Sequence, residues 1–147
     1  MLTELKLNVG TCRGRYADGW TLVTLVVSST GKRYCARGGG YDMPGTVLGR
    51  FLEETYQTRL RALAEAAWSC STDGPAQFMW SLYGMYLNQS TGAITLDGAC
   101  GIRSIICIAK HIGISFAEKS VKRGKRRGQI AGYTVLDSGM PLLSRVA

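Results

Sequence analysis

Residues 114–136 read ISFAEKSVKRGKRRGQIAGYTVL, and this stretch decides the fold. Two runs rich in β-branched and aromatic residues, 114–121 and 130–136, flank a polar link that holds five cations and the glycines Gly124 and Gly128. A link this short and this rich in glycine returns the second run antiparallel to the first, so the stretch is predicted to be a β-hairpin with a basic tip. The same pattern recurs upstream. Leu5, Leu7 and Val9 alternate with polar residues, Ala17, Asp18 and Gly19 make a turn, and residues 20–27 form a second β-rich run that continues or re-forms through 32–37. A further hairpin is expected where 79–87 and 93–96 bracket the loop Asn88, Gln89, Ser90, Thr91 and Gly92.

Between the hairpins the period changes from two to 3.6. Beginning at Pro44, a residue suited to a first helical turn, Val47, Leu48, Phe51, Leu52, Leu60, Leu63, Ala64 and Ala67 recur at helical spacing. Arg50, Glu53, Glu54, Gln57, Arg61 and Glu65 take the other side. Ile102, Ile105, Ile106 and Ala109 lie at i, i+3, i+4 and i+7 of a shorter helix that Gly113 ends. The predicted order is ββαββαββ, an α+β fold in which an antiparallel sheet of about six strands carries two helices on one face. Residues 1–147 are read as a single domain with the basic hairpin tip at 119–128. The uncovered sheet face, together with strands that look apolar on both sides, predicts a homo-oligomer.

The 147 residues are 46% hydrophobic and 19% charged, a composition that excludes a globally disordered chain. Eighteen Lys and Arg against ten Asp and Glu give a net charge of +8, which favours polyanionic partners. Glu4, Lys6 and Asn8 interrupt the first residues where a signal peptide needs an apolar run, so a cytoplasmic protein is expected. The longest apolar stretches, 20–27 and 102–108, fall far short of the roughly 20 residues that cross a bilayer, so no membrane partner is expected. Cys12, Cys35, Cys70, Cys100 and Cys107 are odd in number and contain no CxxC pair, which argues against a disulfide framework or a zinc ribbon.

The strongest charge signal is Lys119, Lys122, Arg123, Lys125, Arg126 and Arg127, six cations with no acid among them. Such an arm can follow phosphates and release their counterions; the plainer alternative is a solvated loop. A second basic group joins Arg13 and Arg15 to Arg33 and Arg37, the last two flanking Cys35, with Tyr16, Tyr34 and Tyr41 interleaved as stacking candidates or as ordinary sheet residues. Gly38, Gly39, Gly40 and Tyr41 lead into a helix start, as do Gly98 and Gly101 with Arg103 just beyond, and backbone N–H groups there favour an anion such as a nucleotide phosphate. The spacing from Gly40 to Gly45 imitates a P-loop, but no Lys follows Gly45, so an ATPase is rejected. Asp42 and Asp97 read as helix caps, although a convergent acid–base pair is compatible with their spacing. Cys100 sits at a helix start eleven positions before His111, the one histidine of the chain; on a common helix the two are roughly 16 Å apart and form no dyad. Cys107 is expected to be an inert buried thiol among isoleucines. No catalytic set, no metal site and no cofactor emerge, and a non-enzymatic protein is expected.

The two glycine-rich segments, Gly38 to Thr46 (GGGYDMPGT) and 97–101 (DGACG), resemble a pattern in small bacteriophage and prophage proteins. The resemblance covers about fourteen residues and assigns no activity or site residue. It implies a protein made in the cytoplasm of a bacterial host, and a class in which nucleic-acid binders and counter-defence factors are frequent, including sponges for nucleotide signals and inhibitors of host defence complexes. The sequence therefore predicts an accessory protein that binds nucleic acid through the basic tip and Arg13, Arg15, Arg33 and Arg37. The alternative is a counter-defence protein that holds a phosphorylated nucleotide at the glycine loops or inhibits a host defence protein.

Overall fold

A computed structural model of the chain describes residues 3–11, 20–38, 43–69, 85–87, 90–96, 101–125 and 127–139. In chain order these form β1 (Thr3–Thr11), β2 (Thr21–Val27), β3 (Arg33–Gly38), α1 (Met43–Thr55), α2 (Gln57–Ser69), β4 (Tyr86–Leu87), β5 (Ile94–Thr95), α3 (Ile102–His111), β6 (Ile114–Ser120) and β7 (Ile130–Asp137). Five strands make one antiparallel sheet in the order β3-β2-β1-β7-β6. The architecture is α+β. The second predicted hairpin forms, but as a separate two-stranded ribbon, β4 with β5, so the main sheet has five strands rather than six.

Alternation within the strands sorts the sheet into two faces. Leu5, Leu7, Val23, Leu25, Val27, Tyr34, Ala36, Ile114, Tyr133 and Val135 are buried on the side that meets α1 and α3. Against them α1 brings Val47, Leu48, Phe51 and Leu52, and α3 brings Ile105, Ile108 and Ala109. Each large apolar side chain removed from water in this way contributes about 1.5–3 kcal/mol at most. Phe51 is the aromatic hub: its ring lies edge-on to Tyr34, Tyr56 and Phe116 at centroid distances of 6.3, 6.0 and 6.4 Å. Where α1 crosses α3, a Cβ built on Gly49 lies 3.1 Å from Ile105 Cδ1, closer than ordinary contact, so a side chain there obliges the Ile105 methyl to shift by a few tenths of an ångström.

The long helix expected over 44–67 is divided at Tyr56 into α1 and α2. Its hydrogen bonds run on through the break, from Tyr56 N–H to the Leu52 carbonyl at 2.9 Å and from Leu60 N–H to the Tyr56 carbonyl at 3.0 Å. Beyond it, α2 is anchored by contacts distant in sequence. The Gln57 side-chain amide donates to the Ile94 carbonyl at 2.7 Å and accepts from Ile94 N–H at 2.8 Å, standing in for the strand that β5 lacks on that side. Glu53 accepts from Leu96 N–H beside it. Arg59 donates through Nη1 and Nη2 to the two oxygens of Asp137, each at 2.9 Å, and through Nη1 to the Ile112 carbonyl at 3.2 Å, which pins α2 to the end of β7 and the C-cap of α3. Among the described residues no helix is long and apolar enough to cross a membrane.

Candidate functional site

The sheet face opposite the helices carries the alternate residues of every strand: Glu4, Lys6 and Asn8 from β1, Leu22, Thr24 and Val26 from β2, Arg33, Cys35 and Arg37 from β3, Thr134 from β7, and Ala117 and Lys119 from β6. Pairing aligns five of these strands' residues in a single transverse rung, Arg33, Val26, Lys6, Gly132 and Lys119. Cations therefore alternate with a small or aliphatic residue, and successive cations stand two strand spacings, about 10 Å, apart. Arg37 lies farther along β3 opposite Leu22, and Cys35 lies between the two arginines with its Sγ 3.8 Å from Thr24 Oγ1. The burial pattern of β3 confirms the predicted alternation, with Arg33, Cys35 and Arg37 exposed and Tyr34 and Ala36 in the core.

The basic hairpin is present as β6 and β7, and it extends past the point where β7 leaves β1. The β1–β7 pairing ends at Lys6 opposite Gly132, whereas β1 continues alongside β2 to Thr11 opposite Thr21. A register shift between Lys119 and Ser120 marks the departure, and bulges of this kind re-aim a strand. Val121 N–H donates to the Gln129 carbonyl at 2.8 Å and Gly128 N–H to the Val121 carbonyl at 2.9 Å, which keeps the two legs paired up to the tip. Gly124 and Gly128 have φ of 92° and 87°, conformations that L side chains rarely adopt, so the turn depends on them. Lys122, Arg123, Lys125 and Arg127 are exposed around it.

Lys119, which the sequence groups with the tip, belongs instead to the sheet rung. Its ammonium is paired with Glu4, whose carboxylate also accepts from Thr134 Oγ1 at 3.0 and 3.1 Å. The hydrogen bond from Lys119 holds the Glu4 carboxyl below its ordinary pKa. Glu4 is thus already matched on a face whose other ionised groups are cations. The acids Glu53, Glu54 and Asp137 lie on the helical side, where Glu54 pairs with Lys32, Asp137 with Arg59, and Glu53 takes the Leu96 amide.

Between β1 and the departing hairpin lies a groove of about 510 Å³. Lys6, Asn8 and Val9 form one wall, Lys119, Val121, Gln129, Ile130 and Ala131 the other, and Gly132 lies between them. At Gly132 the strands approach so closely that a Cβ there falls 2.1 Å from the Leu5 carbonyl oxygen. The absence of a side chain at this position is what lets β1 and β7 meet this closely at the floor of the groove.

Several sequence-based expectations are placed differently. Tyr34, a stacking candidate, is buried against Phe51, and burial raises its phenol pKa. Cys107, expected to be buried, is exposed on the outer side of α3. Gly38 is the buried last residue of β3, away from the open face. Gly101 is the N-cap of α3 with φ −76° and ψ 139°, Ile105 N–H donates to its carbonyl at 3.1 Å, and Arg103 is exposed in the first turn. Arg13, Arg15, Arg126, Gly39, Gly40, Tyr41 and Gly98 lie outside the described residues, as do Asp42, Asp97 and Cys100. Sequence reading missed Lys6, Asn8, Gln129 and Gly132 as site residues. The signal was the period-two pattern of β1, which already puts Lys6 and Asn8 on the face opposite Leu5 and Leu7. Among the described residues, no three His, Cys, Asp or Glu side chains gather as a metal ligand set.

No known protein family, no curated protein and no solved structure matches this chain.

Proposed function

We propose that this protein is a non-enzymatic binder of a polyanion, nucleic acid above all, which it contacts with the hairpin tip and the open sheet face. One observation carries the reading: among the described residues the open sheet face presents cations, and its acid, Glu4, is already paired. Lys6, Arg33 and Arg37 stand exposed on the open face, Lys122, Arg123, Lys125 and Arg127 extend the same charge into the arm, and the acid on that face, Glu4, is consumed by Lys119. A surface of this kind raises the local concentration of a polyanion and releases its counterions on contact. A merely solvated loop explains the tip but gives no reason for the matching cations on β1 and β3.

Replacing Arg123, Lys125, Arg126 and Arg127 with Ser tests the proposal through the salt dependence of binding to a labelled oligonucleotide. Each phosphate contact removed lowers the slope of log K against log salt by about 0.7–0.9, so the variant is expected to lose about 3 from the slope and to weaken binding to all sequences alike. Unchanged affinity and unchanged slope overturn the assignment.

A further inference from the structure

We infer that the groove between β1 and the β6–β7 hairpin is a subsite for single-stranded nucleic acid, so that the protein prefers unpaired strands to duplex; this rests on the polyanion reading above. The groove combines three kinds of surface that an unpaired nucleotide presents together. Its walls hold the half-exposed aliphatic side chains of Val121 and Ile130, against which a base face can lie. The side-chain amides of Asn8 and Gln129 each offer both a donor and an acceptor to a base edge. Lys6, exposed on one wall, provides for the phosphate, while Lys119 on the other is held by Glu4, which also lines the groove.

Dimensions decide between the two forms of nucleic acid. Lys6 and Lys119 face each other across Gly132 in the same rung, about 10 Å apart between backbones. A double helix, whose major groove alone is about 12 Å wide, is too broad to enter between them, and its base faces are hidden in the stack. A single strand exposes base faces, edges and phosphate at once and is narrow enough to be laid along β1. The continuation of the face supports the same path: Asn8 is opposite Thr24, Gly10 is opposite Leu22, and Trp20, 46% exposed, follows two residues before Leu22 in step with it. An aromatic ring at the far end of the track is a stacking platform for a base leaving the groove.

The test compares one fluorescein-labelled oligonucleotide of about 16 nucleotides, as DNA and as RNA, alone and annealed to its complement, by anisotropy at low salt. The full chain is expected to bind the single strand at least about tenfold more tightly than the duplex. Lys6→Gln with Asn8→Ala is expected to weaken single-strand binding by about tenfold while duplex binding falls less than about twofold, because duplex is left to the tip. Acetylation of Lys6 by an amine-reactive ester, read by mass spectrometry, is expected to be blocked by the single strand and not by the duplex, a readout that needs no variant. Duplex binding equal to or tighter than single-strand binding, or an equal loss of both in the double variant, overturns the subsite and leaves the polyanion reading standing. Displacement of the oligonucleotide by polyglutamate at equal charge concentration overturns it in favour of an acidic peptide segment. Binding of neither oligonucleotide form overturns both.

Discussion

Gly132→Ala is the sharpest test of the geometry at the point where the hairpin leaves the sheet. A Cβ at this position lies 2.1 Å from the Leu5 carbonyl oxygen, 3.2 Å from the Leu5 carbonyl carbon and 3.3 Å from Lys6 Cα, all of them backbone atoms that no rotamer change can move. Ordinary contact begins at 3.4 Å, so β1 and β7 must separate by about 1.3 Å to admit the methyl group. Overpacking of this kind costs about 1–3 kcal/mol, and pulling the strands apart at Leu5 opposite Tyr133 and Lys6 opposite Gly132 endangers two backbone hydrogen bonds at about 1 kcal/mol each. The expected destabilisation is therefore about 3–5 kcal/mol, and at about 2–4 °C per kcal/mol for a chain of this size the melting temperature should fall by about 6–20 °C. Urea titration followed by far-ultraviolet circular dichroism measures it, with Gly10→Ala as the control: Gly10 is on the same strand as Leu5, but a Cβ there meets nothing within 4 Å, and a change of about 0.5 kcal/mol or less is expected. If the two variants unfold at the same urea concentration, β1 and β7 do not meet as closely as described, and the explanation of the groove floor fails with them.

Two further substitutions address the joints that hold the helices to the sheet. Arg59→Ala removes the paired hydrogen bonds to Asp137 and is expected to cost about 1 kcal/mol near neutral pH, as for a well-formed pair near the surface. Because the hydrogen bond from Arg59 depresses the Asp137 carboxyl, that contribution is complete above the ordinary carboxyl pKa near 4 and is lost as the pH falls through the lowered value; denaturation curves of wild type and Asp137→Asn should converge in acid, and a constant gap down to about pH 2 contradicts the pair. Gln57→Ala leaves both the N–H and the carbonyl of Ile94 without the side chain they use, and a loss of about 2 kcal/mol is expected together with faster exchange of the Ile94 amide; unaltered exchange shows that the ribbon is held by something else.

What could be read from sequence divides along the range of the interactions. The β6–β7 hairpin, the exposure of Arg33 and Arg37 and the stop at Gly113 all follow from periodicity or turn chemistry within a few neighbours, and each is found in the structure. The division at Tyr56 has no such signal, and the partners that anchor α2 beyond it, Ile94 for Gln57 and Asp137 for Arg59, are 37 and 78 residues away. The ribbon status of β4 and β5 was hidden for the same reason: two short apolar runs look alike whether a strand or a glutamine side chain satisfies their outer edge. Cys107 misled because its isoleucine neighbours define a helix whose buried residues are Ile105, Ile108 and Ala109, and position 107 falls on the turned-away side. The groove was illegible because it depends on the register of three strands, β1, β7 and β6, which pairs Lys6 with Gly132 and Gly132 with Lys119 only after the whole sheet has formed.

The strand order also places a constraint on synthesis. β1 occupies the centre of the sheet, yet one of its two neighbours is β7, with Thr3 opposite Val135, so the centre is closed by a strand translated 132 residues later. At 5–20 residues per second a ribosome takes roughly 7–26 s to cover that interval, far longer than a hairpin needs to form. During it the meander β1-β2-β3 is available without its fourth strand, and the edge from Thr3 to Lys6 has no strand beside it. Glu4 and Lys6 are the charged residues of that edge, and charges in such a place discourage the pairing of one unfinished copy with another. Residues that line the groove in the finished molecule thus also guard the growing one.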